Sequence, residues 1–138
     1  MQVFVVGTPY ETASILDPKR LNKQIVECRQ ILDTLRGNTE AWKNHPVVLQ
    51  YRGYEDWLEL YTDVLTNYRD GDYFSAEIAD FVAEAPKFHT KEFLNQMKRR
   101  LYTKDNNHYR QYAHLGESQE NWYFVDGCIR KYINGKRV

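Results

Sequence analysis

The chain has little of what staples, anchors or exports a protein. Its two cysteines, Cys28 and Cys128, are far apart in sequence and make no disulfide framework. The apolar runs are short, such as Val3-Phe4-Val5-Val6, against the roughly 20 residues that span a bilayer, so a membrane role has no support. No basic start, apolar stretch and small-residue cleavage site combine at the N-terminus, and the reading is a cytoplasmic protein with reduced thiols. Gly-rich phosphate loops and serine or cysteine nucleophile signatures are absent. The four histidines (His45, His89, His108, His114) and the two cysteines have no metal-ligand spacing, so neither a metal site nor a cofactor is expected. There is no repeat, low-complexity tract or linker, and residues 1–138 read as a single domain, long enough to bury a core without staples.

Net charge is also lacking, with nineteen basic residues against nineteen acidic ones. Neutrality argues against nucleic acid as a partner, but the distribution is uneven. Residues 19–52 carry seven basic side chains against three acidic (+4), 53–86 carry nine acids against Arg69 alone (−8), 87–110 are +5 and 130–138 are +4. Three basic segments are thus available to share a face, with an acidic segment opposite, unless the charges only solvate helix exteriors.

What is present is mostly helical signal. Residues 2–6 read as a short extended segment ending at Gly7, followed by a loop at Thr8-Pro9-Tyr10. Asp17 offers an N-cap oxygen, Pro18 suits the first helical position, and Leu21, Ile25, Cys28, Leu32 and Leu35 keep helical spacing up to Gly37. The expectation is one amphipathic helix over 17–37. A second helix is expected from His45-Pro46, with Val47, Tyr51, Tyr54, Leu58, Tyr61, Leu65 and Tyr68 on one stripe and a possible bend at Gly53. Asp70-Gly71-Asp72 reads as a turn, and helices follow at 74–85 and 90–102. The last of these carries Lys98-Arg99-Arg100, either a DNA-facing cluster or compensation of the helix dipole. Strands at 122–125 and 128–133, joined by Asp126-Gly127 and followed by Asn134-Gly135, form a hairpin pattern. The expected fold is mainly α: a compact single-domain helical bundle with a short extended N-terminal segment and a small C-terminal β-hairpin.

At 100° per residue the first helix's apolar stripe centres on Leu21 and Cys28, and Glu27 lies about 120° away, off the core side. Lys23 precedes it by one turn and Arg20 by two. Two readings stand at this point: an exposed Lys23–Glu27 pair contributing a few tenths of a kcal/mol, or a carboxylate held beside phosphate-binding cations to move protons at a sugar.

The run Leu16-Asp17-Pro18-Lys19-Arg20-Leu21-Asn22-Lys23-Gln24-Ile25-Val26-Glu27, with Gln30-Ile31-Leu32 and Lys43-Asn44-His45-Pro46, resembles the pyrimidine-dimer DNA glycosylase family. The resemblance implies a short, mainly helical protein with its N-terminus threaded into the active site. It also implies a catalytic glutamate six residues after a leucine, here Glu27 after Leu21, and a C-terminal Trp-Tyr pair, here Trp122-Tyr123. The implied chemistry is attack of an amine on C1′ of a damaged nucleotide, loss of the base, and β-elimination from the resulting imine, with Glu27 as acid and base and no metal or cofactor. An α-amine suits this role because its reference pKa of about 7.7 leaves a free-base fraction near neutrality.

The family pattern has a small second residue exposed by loss of the initiator methionine, and an arginine just before the glutamate. Gln2 is bulky and leaves Met1 in place, which makes the Met1 α-amine, or else Lys19 or Lys23, the nucleophile; Val26 replaces the arginine. The resemblance thus implies Met1 and Glu27 as catalytic residues. Lys19, Arg20, Lys23, Asn44, His45, Arg99, Arg100, Trp122 and Tyr123 are the candidate contacts to double-stranded DNA, bound by a monomer. The competing readings are a non-catalytic DNA-binding protein using the same basic face, and an interaction module working through the acidic residues 53–86.

Overall fold

The computed structural model describes residues 1–81 and 84–138, which form two compact units, Met1–Pro86 and Lys87–Val138. Among the described residues no helix is long and apolar enough to cross a membrane.

The first unit contains five helices: α1 (Pro9–Ile15), α2 (Pro18–Leu35), α3 (Pro46–Tyr51), α4 (Glu55–Arg69) and α5 (Tyr73–Asp80). The expected loop at Thr8-Pro9-Tyr10 is the start of α1. The Thr8 hydroxyl accepts from Glu11 N and Pro9 takes the first helical position, so a start signal was present where a loop was read. Helix α2 has the expected span, but Asp17 makes no side-chain cap; its carboxylate pairs with Arg20 at 3.1 Å instead. The second expected helix is two helices. Gly53 takes φ +90° between α3 and α4, a left-handed conformation open to glycine that a continuous helix excludes. Helix α5 runs over Tyr73–Asp80, shorter than the helix expected over 74–85: residues 81, 84 and 85 are not helical, and 82 and 83 lie outside the described residues.

The core of this unit gathers the apolar stripes. Val3, Val5, Ile25, Cys28, Val47, Val48, Tyr51, Leu58, Tyr61, Val64 and Leu65 are fully buried, and each large apolar side chain removed from water contributes roughly 1.5–3 kcal/mol. Tyr51, Trp57 and Tyr61 form a run of stacked rings, with centroids 5.7 and 5.1 Å apart. The basic and acidic segments do not lie apart throughout: Arg36 on α2 pairs with Glu59 on α4 at 3.0 Å. Burial and the neighbouring Glu59 raise the Asp63 carboxyl, while Arg29 pulls it the other way. Tyr73, Phe74, Ile78 and Phe81 leave an exposed apolar flank along and just beyond α5.

The second unit packs α6 (Lys91–Lys104) with a 3-10 turn (Arg110–Leu115) and the strands β1 (Asn121–Val125), β2 (Cys128–Ile133) and β3 (Lys136–Arg137). The sheet is antiparallel in the order β1-β2-β3, with Tyr123 opposite Arg130 and Tyr132 opposite Arg137. The expected hairpin is therefore there, extended by a third short strand. Asp126 (φ 53°) and Gly127 (φ 79°) make its turn, and Asn134 (φ 52°) and Gly135 (φ 77°) the next, the paired positive φ values of the tight turn that matches strand twist. Phe88, Phe93, Met97, Leu101, Tyr109, Trp122 and Tyr123 are buried.

Candidate active site

Residues 2–6 belong to no strand, so side chains must satisfy the backbone groups of this largely buried segment. Gln24 on α2, 3% exposed, does half of it. Its Oε1 accepts from Phe4 N at 2.8 Å and its Nε2 donates to the Gln2 carbonyl at 3.0 Å. From α4, the Tyr61 hydroxyl donates to the Phe4 carbonyl, and Val6 N donates to Thr12 Oγ1 at 3.1 Å. The chain start is thereby clamped between α2 and α4. Gln24 and Glu27 are three residues apart on α2, and residues so spaced have Cβ atoms within roughly 5–6 Å. The clamp thus brings the N-terminal residues to the helical turn that carries Glu27.

The ion pair read from the spacing exists, with Lys23 Nζ 3.8 Å from Glu27 Oε1. The partners differ in exposure: the Lys23 side chain is 72% exposed and that of Glu27 is 16%. Glu27 is a shielded carboxylate rather than a solvated one. Its charge reaches the interior at Cys28, whose thiol burial pushes up to about 12, with Glu27 acting in the same direction.

His45 caps α3, accepting from Val47 N at Nδ1, 3.1 Å away. Burial lowers its pKa, and the positive charge of the Met1 amine lowers it further, so the chain terminus and His45 are electrostatic neighbours. With Nδ1 occupied as an acceptor, the neutral ring carries its proton on Nε2. His45 thus caps the helix within electrostatic reach of the terminus. Around it Trp42, Lys43 and Asn44 form an exposed turn, closed by His45 N donating to the Trp42 carbonyl at 2.8 Å. Lys19 is exposed and Arg20, paired with Asp17, is half-buried.

The residues named in the second unit are occupied within it. Helix α6 runs on to Lys104, so Arg99 and Arg100 are not at its C-terminus and do not compensate its dipole there. Arg99 Nε donates to the Leu115 carbonyl at 3.0 Å; Arg100 donates to Asn121 Oδ1 at 2.8 Å and the Ser118 carbonyl at 2.9 Å. Burial lowers the Arg100 pKa. Trp122 and Tyr123 are buried, with Lys131 Nζ 4.7 Å from the Trp122 ring centre.

Sequence reading missed Gln24, Tyr61 and Trp42. Gln24 did leave a signal, since it sits three residues after Leu21 and four before Cys28 on the apolar stripe. A glutamine there needs partners inside.

Residues 1–67 match the family model described as pyrimidine dimer DNA glycosylase. No curated protein and no solved structure matches the chain.

Proposed function

We propose, from the match of residues 1–67 to the pyrimidine dimer DNA glycosylase family model, that this protein is a monomeric base-excision glycosylase with associated lyase activity on damaged or modified pyrimidines in double-stranded DNA. The observation that carries this reading is the clamp: Gln24 and Tyr61 hold residues 2–4 beside the helical turn of a shielded Glu27, with the Met1 amine near His45.

The Met1 nitrogen lone pair attacks C1′ of a nucleotide turned out of the helix, the C1′–N bond breaks, and the base leaves with the bonding pair and takes up a proton. The sugar ring opens at O4′, which takes a proton, and the C1′–N linkage becomes an iminium. Glu27 removes a proton from C2′; the C–H pair forms a C1′=C2′ bond while the iminium pair moves onto nitrogen. The nitrogen pair then re-forms C1′=N, the C1′=C2′ pair becomes C2′=C3′, and the 3′ C–O bond breaks with its pair leaving on the phosphate. Water then hydrolyses the conjugated imine and restores the amine. Lys19, Arg20, Lys23 and Asn44 hold phosphates on either side, and neutral His45 offers its Nε2–H toward the sugar. Arg99, Arg100, Trp122 and Tyr123 hold the second unit together.

The test is borohydride reduction in the presence of an abasic-site duplex and a cyclobutane-dimer duplex. A covalent adduct that sequences to Met1 is expected; an adduct at Lys19 or Lys23 would move the nucleophile. The Glu27→Gln variant should keep DNA affinity and lose strand cleavage. Tight, salt-sensitive binding with neither adduct nor cleavage would establish the non-catalytic reading instead.

A further inference from the structure

We propose that the indole of Trp42 is a stacking site for a nucleobase displaced from the duplex next to the reacting sugar, an inference that rests on the glycosylase reading above. Trp42 combines two features that folding alone disfavours. Its φ is +64°, a left-handed conformation rare for a bulky side chain, and the residue is 54% exposed. Trp57 and Trp122, by contrast, are both buried. A strained backbone that presents a large apolar ring to water is a combination found at working surfaces.

The ring is also held in place. The Thr34 hydroxyl donates to the Ala41 carbonyl at 2.6 Å and ties the turn to α2, while His45 N donates to the Trp42 carbonyl at 2.8 Å. The His45 ring meets the indole edge to face at 6.1 Å, with an interplanar angle of 81°. The indole is thus in ring contact with the cap residue of α3, whose imidazole also lies within the electrostatic reach of the chain terminus.

The chemistry selects the ligand. An indole offers a broad π face and a single N–H donor, and that face stacks on any base regardless of sequence. Lys43 and Asn44 beside it in the turn are exposed and suit the sugar-phosphate that arrives with such a base. A base stacked on Trp42 would be held out of the helix while the amine works on the adjacent sugar.

The experiment uses the full chain, wild type and the Trp42→Ala and Trp42→Phe variants, with a duplex carrying a tetrahydrofuran abasic analogue, which forms no imine, and an undamaged duplex. Wild-type tryptophan emission should be open to iodide quenching in the free protein and protected on the tetrahydrofuran duplex. Trp42→Ala should lose that change and bind the analogue about tenfold or more weaker, since one stacked base contributes of this order, while Trp42→Phe stays close to wild type. Circular dichroism and the phenylalanine variant separate lost stacking from lost folding. Equal affinity of Trp42→Ala and wild type, or iodide protection that follows protein concentration without DNA, overturns the proposal. Borohydride trapping of the wild type on a natural abasic site reads the lyase separately: a wild type that traps while Trp42→Ala binds unchanged sinks the stacking site and leaves the enzyme standing.

Discussion

Replacing Gln24 by alanine tests whether the N-terminal clamp is what presents the amine. The substitution removes the acceptor of Phe4 N and the donor to the Gln2 carbonyl, bonds of 2.8 and 3.0 Å. Each buried backbone group left without a partner costs about 1–3 kcal/mol. Gln2 is 6% exposed and pays toward the upper end; Phe4 is half-buried and water reaches it more readily. Together they put the loss at about 3 kcal/mol, a large fraction of the 5–15 kcal/mol typical of a folded domain.

The expected result is therefore a lower urea midpoint, rapid amide exchange at Phe4, and an imine-trapping rate that falls much further than DNA affinity, because the amine is no longer held while the basic groups of α2 are untouched. Gln24→Glu sharpens the test. It keeps an acceptor for Phe4 N, lacks the donor to the Gln2 carbonyl, and sets a second carboxylate one turn from Glu27, so exchange at Phe4 should stay slow while trapping still drops. A stability loss below about 1 kcal/mol with unchanged exchange and trapping in Gln24→Ala would refute the reasoning, since two orphaned buried groups cannot cost so little.

Other predictions concern groups away from the clamp. Burial pushes His89 down to about 4, so the unfolded chain, titrating near 6.5, takes the proton more readily; stability is full above about 6.5 and declines by about 3 kcal/mol as the pH falls to 4. Urea titrations at pH 7 and pH 4 check this, and His89→Phe, which keeps a ring against Phe88 and Phe93, should flatten the dependence. Iodoacetamide on the native protein should modify exposed Cys128 and spare Cys28, which is buried with its thiol raised to about 12; mass spectrometry showing native labelling at Cys28 would contradict its burial. Phe81→Ser, at a residue 85% exposed, should change stability by less than about 0.5 kcal/mol, as measured by urea unfolding.

The elements that could be read in advance are those whose cause is local. Proline at the first turn, a stripe repeating every three to four residues and an Asp-Gly turn act within a few positions of themselves, and α2, α6 and the β1–β2 turn follow from them. The errors share the opposite origin. Thr8-Pro9 has the form of a helix start, but only burial of Thr12 and Ala13 against the rest of the unit distinguishes that start from a loop. Gly53 permits either a bend or a break, and its φ of +90° is set by where α3 and α4 must go. Asp17 had two kinds of partner within reach, and its carboxylate pairs with Arg20 rather than capping the helix.

The candidate site divides along the same line. Glu27 and its lysine neighbour are one turn apart on one helix, so their pairing was legible. That the carboxylate is shielded while the lysine is not depends on chain outside that helix. The Gln24 clamp joins residues more than twenty positions apart by side-chain to backbone bonds, which have no period. A sequence therefore reports such a clamp only as an anomaly, a polar residue where the stripe calls for an apolar one. Trp42 leaves a different anomaly, visible only in three dimensions as an unfavourable dihedral and an uncovered ring at one residue. Both residues depart from the local pattern, and Gln24 binds the chain terminus while Trp42 sits in the turn before His45. Departures from local preference at these two residues are therefore where the proposed chemistry is to be tested first.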